Sequence, residues 1–381
     1  MNLVVLREQQ AGEARVALMP ESVRKLTALK ANVTIESGAG KEASRSDEEF
    51  SEAGATISND REALLEAADV LAVVNRPSAE DLSKLKSGAV VIGFLRPLDE
   101  PAELKPALTH GLTTFAMELV PRITRAQSMD ALSSMATVAG YKAVLVAAER
   151  LSRMFPMLMT AAGTVPPAKV LVLGAGVAGL QAIATARRLG AVVEAYDVRA
   201  AAGEQVKSLG ANFLEVDLGG LKTEDAGGYA VELSEEALER GRQLIARHAQ
   251  TNDVVITTAQ VPGRRAPLLL TEAAVAGMKP GSIIVDLAGS TGGNCALSKP
   301  GETIEVNGVT IFAPLNLPAT VPVHASQLYS RNITAFLTPL IKEGELKIDM
   351  ADDVVGPSCV THQGQWVNQR VAAAVGASTG S

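Results

Sequence analysis

Short apolar runs separated by amphipathic stretches fill most of the chain, and their lengths set the first expectations. Leu3 to Leu6, Asn32 to Glu36, Val70 to Val74, Ala89 to Phe94 and Thr113 to Ala116 read as buried β-strands, because such runs are too short for an ordinary helix and are rich in β-branched residues. Pro20 to Lys30 carries Val23, Leu26 and Leu29 at helical spacing, with proline near its start, where a missing N–H costs nothing. This rhythm predicts a parallel sheet with helices on both faces. A second block repeats it from Lys169 to about Phe312, with strands expected at Val170 to Leu173, Val192 to Tyr196, Asp253 to Thr258 and Ser282 to Leu287. Gln127 to Met154 reads as one long helix bridging the blocks, since Leu132, Met135, Ala139, Ala143 and Val146 recur on one side. A further helical pattern occupies Gln327 to Ile341. The expected fold is α/β: two Rossmann-like, doubly wound parallel-sheet domains joined by long helices. Residues 1–130 with 314–381 form a discontinuous first domain, and 135–312 the second. The Ala-, Gly- and Ser-rich stretch from Ala372 to Ser381 has no periodicity and reads as a disordered tail or linker.

Composition narrows the function classes. At 381 residues and 47% hydrophobic, the chain can bury two sizeable cores. Its net charge of −7, with no long basic run, excludes nucleic-acid binding, which rests on neutralising phosphates. Cys295 and Cys359 stand alone, in no metal-ligand or redox spacing; they read as core fillers in a reducing cytosol, and no metal site is expected. The apolar run within Met1 to Arg7 is too short for a signal peptide. Ala143 to Ala148, flanked by Lys142 and Glu149, falls far short of the ~18 apolar residues of a membrane span, so the chain is not expected to cross a membrane by itself.

The strongest chemical signal is Lys169-Val-Leu-Val-Leu-Gly174-Ala-Gly176-Val177-Ala178-Gly179. A bare G-x-G-x-x-G says little, but here an apolar strand precedes it, a helix over Val177 to Leu189 follows, and a second strand ends at Asp197. Gly174 permits the tight turn, Gly176 lets a pyrophosphate approach the backbone, and Gly179 lets the helix pack on the strand. The helix N-terminus offers N–H donors and positive potential to the phosphates. Asp197 lies 23 positions after Gly174, close to the spacing of a carboxylate that holds the adenosine ribose hydroxyls. It would repel a 2′-phosphate, so NAD(H) is favoured over NADP(H). Arg199 pulls the other way, since a guanidinium there can hold a 2′-phosphate.

No acid/base centre accompanies this motif: His110, His248, His324 and His362 sit in no catalytic setting. Polar residues gather instead at the domain junction, in Pro121-Arg122-Ile-Thr-Arg125-Ala-Gln127-Ser-Met-Asp130-Ala-Leu-Ser133-Ser134. Gln127, Asp130 and Ser134 would share one helical face. Pattern alone leaves two readings open, a cleft lining that binds a nicotinamide ribose or carboxamide and a capped helix start. The stretch Asp217 to Ala230, with two glycine pairs and Tyr229, reads as a surface loop or as a lid over the cofactor.

Together these segments resemble the alpha subunit, the NAD(H)-binding component, of proton-translocating NAD(P) transhydrogenases. The resemblance runs from Gly12-Glu-Ala-Arg15-Val-Ala-Leu-Met-Pro20-Glu through the Arg122 to Asp130 junction, the glycine motif, Asp197-Val198-Arg199 and Ala226-Gly-Gly-Tyr229-Ala. It continues through Met278 to Ala288, Gly292-Gly-Asn294-Cys and Ser330 to Pro339. It implies that NADH lies in a cleft between the domains and that hydride passes directly to NADP held by a partner subunit, with Re/Si specificity. That transfer is coupled to proton translocation in a separate membrane component. By the same resemblance, Arg122, Gln127, Asp130 and Ser133 position the nicotinamide half, with Gln127, Asp130, Arg122 and Tyr229 nearest the chemistry. Gly174, Gly176, Val177, Ala178, Gly179, Asp197, Val198 and Arg199 hold the rest of the dinucleotide, and Gly228, Tyr229 and Gln260 complete the site. The expected assembly is a homodimer, bound peripherally at the cytoplasmic face through NADP(H)-binding and membrane-spanning subunits. Alanine dehydrogenase is similar in the Arg15 segment, but the lysine and histidine that handle substrate there fall on Asn75 and Arg96 here. A saccharopine-type dehydrogenase shares the architecture, with nothing here to specify a lysine site. A non-catalytic NAD-binding module would keep only the glycine motif and Asp197.

Overall fold

A computed structural model describes residues 1–216, 234–261 and 263–376. The chain divides into two compact units, Met1–Met135 with Pro318–Ser381, and Ala136–Leu317.

In the first unit six strands alternate with helices: β1 (Asn2–Val5), β2 (Asn32–Glu36), β3 (Thr56–Ser58), β4 (Val70–Asn75), β5 (Val90–Phe94) and β6 (Thr113–Ala116). They lie in the order β6-β5-β4-β1-β2-β3, every neighbour parallel. The central strands are buried along nearly their whole length, which is why they read as continuous apolar runs rather than alternating ones. The chain builds outward from β1 to β3, then returns to start β4 on the opposite side. That reversal opens a crevice at the carboxyl ends of β1 and β4.

The single helix expected over Gln127 to Met154 is two elements. Thr124–Met129 is a 3-10 turn that buries Ala126 and Met129, three residues apart as its repeat requires. Asp130, at φ −73° and ψ 83°, leaves the helical region, and an α-helix then spans Ala131–Arg150. Gln127, Asp130 and Ser134 therefore do not share one helical face. By length and composition the 20-residue helix is apolar enough to cross a membrane. Its apolar content nevertheless has a packing reason, because Ala143, Val144 and Ala147 are fully buried in the second unit's core.

After the long helix, the second unit continues with a hairpin, β7 (Leu158–Thr160) and β8 (Gly163–Val165). Its sheet comprises β9 (Lys169–Leu173), β10 (Val192–Tyr196), β11 (Asn212–Leu214), β12 (Val254–Thr257), β13 (Ile283–Asp286), β14 (Thr303–Val306) and β15 (Val309–Phe312), in the order β11-β10-β9-β12-β13-β15-β14. All neighbours are parallel except β14 on β15. The same reversal recurs here, between β9 and β12.

The chain then re-enters the first unit through the helix Pro322–Leu337, which buries Tyr329, Ile333, Phe336 and Leu337. A hairpin of β16 (Ile341–Lys342) and β17 (Glu345–Leu346) follows. Finally β18 (Cys359–His362) and β19 (Gln365–Trp366) extend the sheet antiparallel beyond β6. Both sheets are thus mixed, each parallel core ending in an antiparallel edge. Cys295 and Cys359 are free thiols buried in the packing.

Candidate dinucleotide-binding site

At the second unit's switch point, β9 runs straight into the glycine turn. Gly174 sits at φ +97°, and a Cβ there would lie 2.7 Å from Thr258 Oγ1, so the turn is closed to other residues sterically as well as conformationally. A Cβ on Gly179 would run into the Gly174 carbonyl, whereas beside Gly176 nothing lies within 4 Å. Gly176 is the N-cap of the helix Val177–Arg188, and no side chain caps that end. Val177 is exposed and Ala178 half-buried at the first turn. The open side of this turn therefore fits a dinucleotide's pyrophosphate, with N–H donors and the helix dipole directed at it.

Asp197 follows β10 and is tightly held. Its Oδ2 accepts the Ala175 N–H at 2.7 Å and Arg199 Nη2 at 2.8 Å; its Oδ1 accepts the Arg199 N–H at 2.8 Å and Nε at 2.9 Å. The Arg199 guanidinium thus sits on the same carboxylate that would receive ribose hydroxyls, with Val198 half-buried between them. On the other side of β9, the Thr258 hydroxyl donates to the Gly174 carbonyl at 2.9 Å, and Gln260, exposed, donates from Nε2 to the Leu287 carbonyl at 2.8 Å. The fold brings the glycine turn, Asp197, Arg199 and Gln260 to the carboxyl edge of one sheet.

The junction residues belong to the first unit and to a different setting. Arg122 and Gln127 are exposed. Asp130 accepts the Ser133 N–H at 2.8 Å and its hydroxyl at 2.6 Å, which caps the start of the long helix. Arg125 pairs with Asp352 and Asp353, and Asn332 Nδ2 donates to the Ser128 carbonyl at 2.9 Å, tying the junction to the C-terminal segment. Gly228 and Tyr229, and with them the stretch Asp217 to Ala230, lie outside the described residues.

Two sets of buried polar groups lie outside the site residues to which the sequence pointed. The first occupies the switch point of the first unit. Glu8, just past β1, accepts the Val74 N–H at 2.6 Å and both the backbone and side-chain N–H of Asn75 at 3.2 Å. Asn75 Nδ2 also donates to Glu13 at 2.8 Å, and Glu13 in turn takes Arg15 Nε at 2.8 Å and Nη2 at 2.6 Å. Burial pushes the Glu8 carboxyl up to about 7. Burial also acts to raise Glu13, but Arg15 and Asn75 outweigh it and hold Glu13 at about 2. Arg96, in the left-handed region at φ 53°, faces solvent and pairs with Glu100 at 2.8 Å. The second set is Asp286 with Asn294, both fully buried at the end of β13. The signal for each set was an acid at or just beyond the carboxyl end of a buried apolar strand, Glu8 three residues past β1 and Asp286 the last residue of β13, a costly placement unless it is hydrogen-bonded.

A glycine turn and an acid at the carboxyl edge of a doubly wound sheet, in a chain of two such units, define the Rossmann-type dinucleotide-binding class. The chain belongs to the alanine dehydrogenase/PNT family: the N-terminal domain model matches residues 4–139 and the C-terminal domain model residues 143–369. Domains of this family bind NAD(H). The chain is 46% identical over 376 residues to an NAD(P) transhydrogenase subunit alpha polypeptide of Rhodospirillum rubrum, covering 97% of this chain and 98% of that one. It is 30% identical over 383 residues to alanine dehydrogenase of Mycobacterium tuberculosis, covering 99% and 97%. Among solved structures, transhydrogenase from Sinorhizobium meliloti superposes with a TM-score of 0.88 at 46% identity, covering 96% of this chain and all of that one. An L-alanine dehydrogenase superposes with a TM-score of 0.82 at 25% identity, over 99% of both chains.

Proposed function

We propose that this chain is the NAD(H)-binding component of a proton-translocating NAD(P) transhydrogenase. In this reading it works as a homodimer, peripheral on the cytoplasmic face of a membrane, alongside an NADP(H)-binding subunit and a membrane-spanning subunit that carries the proton. Arg122, Gln127, Asp130, Ser133 and Tyr229 position the nicotinamide half, and the Gly174 turn with Asp197 holds the rest.

Held by these residues, NADH would supply a hydride to NADP+ on the partner, a chemistry in which no side chain has to give or take a proton. The chain's own role is to bind and orient. The Gly176 turn receives the pyrophosphate, Asp197 the adenosine ribose, and the helix dipole the phosphate charge.

The observation that carries the choice between the family's two activities is the state of Asn75. Its side-chain amide donates to Glu8 at 3.2 Å and to Glu13 at 2.8 Å. A carboxamide cannot exchange protons with a substrate near neutral pH, and this one is already committed. The test is a titration of the purified chain with NADH and NADPH, followed by assays with alanine and with pyruvate plus ammonia. NADH binding in preference to NADPH, no amino-acid turnover, and hydride transfer once an NADP-loaded partner is added are expected. Turnover of alanine or pyruvate overturns the reading in favour of an amino-acid dehydrogenase. Binding without transfer to any such partner favours a non-catalytic NAD module.

A further inference from the structure

One set of buried polar side chains in the second unit has no role in the scheme above. Asp286 accepts five hydrogen bonds: at Oδ1 from Thr257 Oγ1 (2.7 Å) and the Ala288 N–H (3.0 Å), and at Oδ2 from the Asn294 N–H (2.9 Å), the Cys295 N–H (3.1 Å) and Ser298 Oγ (2.6 Å). These bonds fold the segment after β13 back and deliver Asn294 to the end of β12. The Asn294 carboxamide is then fully used. Its Oδ1 accepts the Ala259 N–H at 3.0 Å, and its Nδ2 donates to the Ala259 carbonyl at 2.9 Å and the Pro267 carbonyl at 2.8 Å. One side chain thus holds both backbone polar groups of Ala259 with one acceptor and one donor, and its second donation ties in Pro267, a combination that a carboxamide on a short stem supplies. Ala259 stands between Thr258, bonded to the glycine turn, and Gln260, bonded to the end of β13.

The strand order says which half of a dinucleotide this concerns. Asp197 follows β10, the glycine turn follows β9, and β12 lies on the far side of β9. With the adenosine ribose at Asp197 and the pyrophosphate at the glycine turn, the nicotinamide half extends over the end of β12. That is where Asn294 fixes the backbone.

We infer that Asn294, set in place by Asp286, is a positioning residue for the nicotinamide half of bound NAD(H), acting through the Ala259–Gln260 segment. The inference rests on the NAD(H) reading of this unit. A purely structural role would loosen the whole site, whereas a positioning role divides the dinucleotide in two.

The test uses Asn294→Asp, nearly isosteric, which loses both donations and sets a carboxylate against two carbonyls. Calorimetric titration of the full chain with NADH is compared with titration by 5′-AMP, which occupies the adenosine half alone. The fluorescence of bound NADH reports the surroundings of the dihydronicotinamide. The expected result is a loss of about tenfold or more in NADH affinity, with 5′-AMP affinity unchanged within about twofold and the emission of bound NADH shifted toward that of free NADH. Ser298→Ala removes only one hydroxyl donation to Asp286 and serves should the first variant fail to fold; there the expected NADH loss is roughly two- to fivefold, again sparing 5′-AMP. Equal losses for both ligands, or no loss for NADH, overturn the inference while leaving the NAD(H) reading in place. Failure of the unsubstituted chain to bind either ligand overturns that reading and the inference with it.

Discussion

At the scale of single residues, the proposed NAD(H) site makes nucleotide selectivity a question of Asp197 and the guanidinium that shares it. Four donors from Ala175 and Arg199 already satisfy the carboxylate, so ribose hydroxyls must compete with Arg199 or replace its contacts. Even so, in the proposed binding mode the negative charge stands where a 2′-phosphate would have to sit. Asp197→Asn keeps the shape, removes the charge and turns one acceptor into a donor. NADH binding is expected to weaken by about 1–2 kcal/mol, while NADPH binding improves relative to it because Arg199 is released. Calorimetric titration with both nucleotides checks this, and an unchanged NADH affinity would remove Asp197 from the site. Arg199→Ala should instead lower NADPH affinity relative to NADH; the opposite ratio would mean that the guanidinium serves only to hold Asp197.

At the scale of elements, the helix Val177–Arg188, which the proposal sets against the pyrophosphate, is located by close backbone approaches. A Cβ on Gly140 of the long helix would collide with the Ala178 carbonyl in the first turn of the helix Val177–Arg188. Gly140→Ala should therefore push that N-terminus off the sheet, at a cost of about 1–3 kcal/mol in stability, and reduce NADH affinity at least as far as Asp197→Asn. A lowered melting temperature with intact affinity would show that the turn adjusts independently. How legible each element was depended on how much of its signal was local. The strands Val192–Tyr196 and Thr113–Ala116 and the glycine turn announce themselves in consecutive residues. The break at Asp130 does not, because Ala126 and Met129 fit a helical repeat almost as well as the 3-10 repeat they obey. Strand Gln365–Trp366, two residues long, exists only because another strand pairs with it. Asp197's place beside the glycine turn was legible from spacing, whereas Asn294 meets Ala259, 35 positions away, a pairing that no window along the chain contains.

At the scale of the whole molecule, buried carboxyls should make stability depend on pH in an unusual direction. Burial pushes both Glu8 and Glu118 up to about 7, and one Glu118 oxygen is buried with no hydrogen-bond partner. Between the ordinary glutamate value of 4.5 and about 7, the folded chain keeps protons that the unfolded chain has released. Stability must then fall as pH rises through that window. Glu13 acts in the opposite sense lower down. It is held at about 2, so below 4.5 the unfolded chain takes up a proton that the folded one refuses, and stability falls again as pH drops. The two limbs place the maximum near pH 5, close to the isoelectric point of 5.4 and below the neutral range where many proteins are most stable. Each raised carboxyl accounts for on the order of 2–3 kcal/mol across its window, enough to lower the melting temperature by roughly 5 °C between pH 5 and pH 7.5. Replacing both groups in Glu8→Gln/Glu118→Gln should flatten that decline while leaving the loss below pH 4.5 in place. A wild-type chain as stable at pH 7.5 as at pH 5, or a double variant with the same slope, would mean that these carboxyls find water or a cation in solution and are ionised in the folded state.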